Sequence, residues 1–262
     1  MNDQLITSPQ NPRIKELASL GAKSSERRKR GLFTVEGARE CRAAQKAGFL
    51  FEAVFMVPGM ADEKFTASLK ADKITAITPQ VYEKIAYRGS TEGIIAIVKH
   101  KELKLDDIRL SENPLVIVLE SVEKPGNLGA ILRTADAAKA DAVIICDPLT
   151  DLYNPNTIRS SLGGIFTNQV SASSSEDTYK WLKKNNIRIF TAELQASEWY
   201  HLTDMTSPMA IVMGTEADGL KEFWRERAHE RIKIPMRGEL DSLNVSVSTA
   251  IICFEALRQR GV

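Results

Sequence analysis

Cysteine and histidine are scarce in this chain of 262 residues, with three of each, and the scarcity removes whole classes of chemistry. Cys41, Cys146 and Cys253 are odd in number and scattered, so no disulfide framework is indicated and a reducing, cytoplasmic setting is expected. His100, His201 and His229 stand in unrelated contexts without metal-ligand spacing, and no metal is expected. No glycine elbow frames a serine, so a Ser-His-Asp nucleophile is not indicated. Long apolar runs are missing too. Leu115 to Leu119 and Ala142 to Cys146 fall far short of the roughly 18 to 20 residues that span a bilayer. Met1-Asn2-Asp3-Gln4 lacks the basic stretch and apolar core of a secretory signal, so the glycosylation sequon Asn244-Val245-Ser246 has no use.

Net charge is also close to absent, at +1 from 35 Lys/Arg and 34 Asp/Glu, which by itself argues against a nucleic-acid partner. The distribution says otherwise. Residues 1–105 carry 18 Lys/Arg against 12 Asp/Glu, while the remainder carries 17 against 22. The excess concentrates in Arg27-Arg28-Lys29-Arg30, a handle for phosphate or a solvated basic loop.

What is present is ordinary globular composition, 43% hydrophobic and 26% charged, in a chain long enough for two domains. The first hundred residues alternate short helices and strands: helices at Pro12 to Leu20, Ala38 to Ala47, Glu63 to Lys70 and Pro79 to Ala86, strands at Phe33 to Glu36, Phe51 to Val57, Ile74 to Ile77 and Ile94 to Val98. Residues 104–113 are charged and lack an apolar period, which predicts a linker between a domain at 1–103 and another at 114–262. In the second domain, strands at Leu115 to Leu119, Ala142 to Cys146, Arg188 to Ala192, Met209 to Met213 and Arg231 to Ile234 alternate with helices, ending in Val245 to Arg260. That pattern predicts an α/β fold with a parallel sheet covered on both faces, and ligands in such sheets sit beyond the carboxyl ends of the strands.

Three loops leave those ends. Glu123-Lys124-Pro125-Gly126-Asn127-Leu128-Gly129 has neither the three-glycine dinucleotide fingerprint nor the Gly-Lys-Ser/Thr of a phosphate loop. In the helix beyond it, Arg133 has small or apolar neighbours, where a cation needs a partner or a cleft. Gly214-Thr215-Glu216-Ala217-Asp218-Gly219-Leu220 joins a strand to a helix through two glycines; Asp218 reads as a helix-start residue, Glu216 as that or as a base or orienting group. Ile234-Pro235-Met236 runs through Ser242-Leu243-Asn244 into the last helix, which Ser242 or Asn244 can cap.

Taken together, these segments resemble the signature motifs of the SpoU/TrmH class of RNA 2′-O-ribose methyltransferases, in the SPOUT superfamily. Asn127 to Ala135 is similar to the first motif, Gly214 to Leu220 to the second, and Ile234 to Gln259 to the third; Asn154-Pro155 through Arg159-Ser160 and Gly163 resembles the intervening helix. Ser8 to Pro12 and Phe33 to Gly37 resemble the L30e-like substrate-binding domain of many members. The resemblance implies a trefoil knot in the second domain, a homodimer, and bound S-adenosylmethionine. By motif position it implies cofactor contacts at Gly214, Ile234, Met236, Ser242 and Leu243, with the strand end Thr191-Ala192-Glu193 as the remaining wall. It implies RNA as substrate, and the basic run Arg27, Arg28, Lys29 and Arg30 of the first domain is expected to dock it. It also makes Arg133 the catalytic residue, with Asn127, Glu216 and Asn244 around it. A guanidinium keeps its proton below a pH of about 12, so Arg133 is read as binding phosphate and hydroxyl and stabilising developing alkoxide, with the proton leaving through phosphate or water. A non-catalytic RNA-binding or ribosome-assembly protein that retains the fold is the alternative.

Overall fold

The computed structural model describes residues 5–86, 92–121, 124–148, 151–195, 198–215 and 219–262. In chain order come α1 (Pro12–Ala22), α2 (Ser24–Arg30), β1 (Leu32–Glu36), α3 (Ala38–Lys46), β2 (Phe51–Met56), α4 (Glu63–Ser68), β3 (Ala71–Ala76), α5 (Pro79–Ile85) and β4 (Ile94–Lys99). After a 3-10 turn at Leu105–Asp107 follow β5 (Leu115–Glu120), α6 (Pro125–Ala137), β6 (Ala142–Cys146), α7 (Pro155–Ser160), α8 (Gly164–Thr167), β7 (Val170–Ser173), α9 (Ser175–Lys184) and β8 (Arg188–Ala192). The chain closes with β9 (Glu198–Trp199), β10 (Met209–Met213), α10 (Glu222–Arg227), β11 (Glu230–Lys233) and α11 (Val245–Gln259). Contacts divide it into two units, Met1–Lys101 with Asp151–Thr167, and Glu102–Thr150 with Asn168–Val262.

The first unit holds a four-stranded sheet in the order β1-β4-β2-β3, with β4 antiparallel to both neighbours and β2 parallel to β3. Side chains of Asn11, Asp62 and Thr78 accept from backbone N–H groups at the starts of α1, α4 and α5, and Pro12 and Pro79 occupy first turns, which is why these helices begin where they do. Leu17 and Leu20 of α1 pack with Phe55, Ile77, Tyr82 and Ile97 to form the core. Residues Asp151–Thr167 join this unit through aromatic contacts: Tyr153 stacks on Phe33 at 4.1 Å between ring centroids, and Phe166 meets Phe49 edge to face at 5.1 Å. Helix α2 was not expected. Its basic run occupies the last turn, where the helix dipole favours cations, and Gly31 ends it at φ +62°.

The second unit is built on a parallel seven-stranded sheet, β7-β6-β5-β10-β8-β11-β9. Strand alternation divides its buried residues between two faces. Val116, Val118, Ile144 and Val212 pack with Trp181 of α9 and Trp224 of α10. On the other face lie α6 and α11, which pack on each other. Strands β6, β8 and β10 occupy the residues expected from sequence. The short polar β7 and two-residue β9 carry too little apolar pattern to be read. Residues 104–113 are less open than their charge suggests, because Ile108 is buried and Leu105 and Leu110 pack on the core of this unit. All three cysteines are free and buried; burial pushes the Cys146 and Cys253 thiols up to about 12, far from a nucleophile's range. No described helix is long and apolar enough to cross a membrane.

Candidate active site

The carboxyl ends of β5, β8, β10 and β11 point to the same edge of the parallel sheet, and the segments leaving them carry the residues singled out from sequence. Pro125 opens α6, which places Asn127 in its first turn. Asn244 is the N-cap of α11: its Oδ1 accepts from Ser246 N at 3.0 Å and from Ser246 Oγ at 2.6 Å. Its Nδ2 donates to Asn127 Oδ1 at 3.2 Å, so one side chain starts α11 and ties that start to the start of α6. Arg133 is exposed on α6, about 9 Å further along the helix axis than Asn127. It lies neither in the apolar interior that its neighbours suggested nor in a described salt bridge.

Backbone closeness sets the second loop. A side-chain carbon on Gly214 would stand 2.2 Å from the carbonyl carbon of Gly219 and 2.5 Å from Leu220 N. Thr215 and Gly219 exchange two backbone hydrogen bonds at 3.0 and 3.2 Å, and Gly219 has φ +68°. Only glycine fits at 214, and 219 favours it. Glu216 and Asp218, expected between them, lie outside the described residues. Where the loop enters α10, Lys221 N donates at 2.8 Å to Oε2 of Glu120, the buried residue that ends β5. Glu120 Oε1 is buried without a partner among the described residues, and burial raises this carboxyl above its ordinary range despite Lys221.

Ala192 ends β8 beside Ile232 of β11, and Ile234, Pro235 and Met236, which continue β11, are half-buried. Ser242 and Leu243 are exposed; the Ser242 hydroxyl donates to Asp241 at 3.2 Å, while Asn244 alone caps α11. Glu193 follows Ala192 and is almost wholly buried. Arg231 donates to it twice, Nε to Oε1 and Nη2 to Oε2, each at 2.9 Å, and Thr191 Oγ1 adds a third donor at 2.9 Å. Burial pushes this carboxyl up, but the Arg231 and Thr191 hydrogen bonds outweigh it and hold it below the ordinary range. Glu193 was expected from sequence only as part of the strand end Thr191-Ala192-Glu193 that walls the cofactor, and Glu120 was not singled out. The one available signal was an acid closing a buried apolar strand.

In the first unit the basic run divides. Arg27 is buried; its Nε pairs with Asp151 at 2.6 Å and its Nη1 donates to the Leu20 and Gly21 carbonyls. That corrects the expectation for Arg27, whose buried guanidinium is turned inward onto Asp151 and away from solvent. Arg28 and Lys29 are exposed, and Arg30 is exposed and paired with Glu16. A cavity of about 730 Å³ in this unit is lined by Arg39, Lys84 and Arg159 but equally by Glu36, Glu40 and Glu92, a balance that does not favour an anion.

Residues 114–254 match the SpoU rRNA Methylase family, and residues 11–96 match the MRM3-like substrate binding domain. A 23S rRNA (guanosine-2'-O-)-methyltransferase from Photorhabdus laumondii is 34% identical over 221 residues, 80% of this chain and 91% of that protein. A crystal structure of an RNA 2'-O ribose methyltransferase superposes with a TM-score of 0.85 at 38% identity, covering 99% of this chain and 100% of the other. The AdoMet-bound rRNA methyltransferase from Sinorhizobium meliloti gives a TM-score of 0.89 at 28% identity, covering 97% of each chain.

Proposed function

Because the chain belongs to the SpoU rRNA methylase family, we infer that it methylates ribose 2′-hydroxyls of RNA with S-adenosylmethionine as methyl donor, and that its target is a guanosine in ribosomal RNA. The observation that carries the reading is the Asn127–Asn244 hydrogen bond, which joins the first and third motifs across 117 positions of sequence at the edge where the second motif also ends its strand. The cofactor's sulfonium makes its methyl electrophilic, so the protein has mainly to hold a hydroxyl in line and to ease the loss of a poorly acidic proton.

The residues present suit that cofactor. Gly214 brings backbone to the close approach that any side chain would block, and Ala192, Ile234 and Met236 offer half-buried apolar surface for an adenine ring. Leu243 and Ser242 close the wall in this reading. Exposed Arg133 faces substrate as a fixed positive charge that draws in an RNA phosphate and stabilises charge developing on the 2′-oxygen, while Asn127 and Asn244 hold the ribose or the loops that meet it. Glu216 is retained as an orienting carboxylate in the same site. Arg28, Lys29 and Arg30 dock RNA from the first unit, in which domain 1–103 serves substrate binding and 114–262 methyl transfer.

The second unit pairs with a second copy of the chain in this reading. Val247 and Phe254 leave apolar surface exposed along one side of α11; seven residues apart, they lie on one stripe. The segment from β11 to α11 is read as the knotted one. The chain leaves β11 beyond β8 and returns to pack on α6, a path that suits a threaded loop. A cytoplasmic location suits three unpaired, buried cysteines.

Incubating the purified chain with methyl-labelled cofactor and total RNA tests the function. Label should appear at guanosine 2′-oxygens of ribosomal RNA, and Arg133→Ala should lower the rate about 100-fold while leaving cofactor affinity within about twofold. A chain that bound RNA but transferred no label would instead be the non-catalytic binder.

A further inference from the structure

Glu193 belongs to none of the three motifs, yet it touches the ends of β8 and β11, two segments that would wall the cofactor, and meets α10, which follows a third. Its own backbone continues β8 past Ala192, and its N–H donates to the Ile232 carbonyl at 3.0 Å. Its carboxylate takes the two parallel hydrogen bonds from Arg231, whose strand runs on into Ile234-Pro235-Met236. Arg225 of α10 approaches the same carboxylate from the third side, with Nε 3.4 Å from Oε2. The far end of Arg225 lies beside Gly219, where a side-chain carbon would be 3.7 Å from Nη2. The Glu193 side chain is only 2% exposed, whereas those of Arg225 and Arg231 are 32% and 45% exposed, so one dry anion is clamped between two cations that reach it from the rim.

We propose that Glu193, with Arg231 and Arg225, is the positioning node of the cofactor pocket. It fixes the end of β8, the exit of β11 and α10, beside Gly219, relative to one another, and thereby sets affinity for S-adenosylmethionine. The proposal rests on the methyltransferase reading above. The physical argument is geometric. Three separate backbone segments must be held within a fraction of an ångström to bind one ligand, and loops alone do not hold that tolerance. A bidentate guanidinium–carboxylate pair fixes distance and plane together, which a lone contact does not. Burial of the carboxylate makes any loosening costly, so the segments move together or not at all.

The test is calorimetric titration of the full chain with S-adenosylhomocysteine, alongside thermal unfolding and steady-state methyl transfer. Glu193→Gln keeps the shape and removes the charge. Its dissociation constant should rise about tenfold and its KM for cofactor likewise, with kcat at saturating cofactor and KM for RNA within about twofold of wild type. Arg225→Met leaves Glu193 paired with Arg231 and removes only the ion pair with α10, so its constant should rise about threefold; this variant decides the matter if Glu193→Gln does not fold. A lower melting temperature with unchanged cofactor affinity in the folded variants would mean that the cluster only stabilises the fold, and would overturn the proposal. If wild type itself bound no S-adenosylhomocysteine, the methyltransferase reading would fall with it. Binding by wild type and by both variants within about twofold of one another would overturn the node alone.

Discussion

Arg133 projects from α6 into solvent, and that exposure changes the problem its charge poses. Its neighbours Ala130, Ile131, Leu132 and Ala135 suggested a cation in need of a buried partner. The helix instead turns Ile131, Leu132 and Ala135 into the core and Arg133 outward, so it costs little to keep charged and is free to meet an anionic substrate. Arg27 is the opposite case: its place in a run of four basic residues suggested solvent, and the structure buries it against Asp151. A run of like charges on a helix cannot all face one way, and the register decides which residue points inward. Glu120 permits a sign test. Its carboxyl lies above the ordinary 4.5 in the folded state because burial disfavours the anion, so the folded protein binds the proton more tightly than the unfolded one. The cost of ionising it is absent well below pH 4.5 and appears as pH rises through the raised value. Glu120→Gln should therefore gain melting temperature over wild type at pH 8 and lose that gain near pH 4.5, as read by thermal unfolding at both.

Helix α11 shows why single elements were easier to read than their meeting. Its start follows from Asn244 at the cap and its length from a continuous run of helix-compatible residues. Nothing local tells that the same Asn244 also reaches Asn127 at the start of α6. The two roles separate by substitution. Asn244→Ser keeps a capping oxygen and should hold stability within about 0.5 kcal/mol, whereas Asn244→Ala should lose about 1 kcal/mol in denaturant unfolding. Both lose the link to Asn127, so both should cut methyl transfer about tenfold or more. If Asn244→Ser transferred methyl at the wild-type rate, the link would be a detail of capping only. The other end of α11 is held by Arg260, which donates to the carbonyls of Asn113, Met205 and Ser207 and so ties the helix to the amino ends of β5 and β10.

At the scale of the whole chain, exposed Val247 and Phe254 on α11 are hard to explain in an isolated copy. With a second copy seated on that stripe, Phe254→Glu should shift sedimentation from dimer to monomer, because a carboxylate buried in an apolar interface is unpaired on both sides of the twofold. Methyl transfer should fall with the dimer, since the family resemblance implies an active site that draws on both chains. A variant that stayed dimeric would place the interface elsewhere.

The chain by itself determined its buried strands, most of its helices and its reaction class. Continuous apolar runs of five, bounded by turn residues, mark buried parallel strands such as Ala142–Cys146 and Met209–Met213, because a strand covered on both faces has no polar side to alternate. The motifs around Asn127, Gly214 and Asn244 are legible because close backbone approach and capping demand particular residue types locally. Only the tertiary structure decided which charges are free and which are spent. It turned Arg27 inward and Arg133 outward, and it gathered Glu193, Arg225 and Arg231 from three elements around one dry carboxylate. The reason is that burial and pairing belong to residues distant in sequence, and no local pattern encodes a partner 38 positions away.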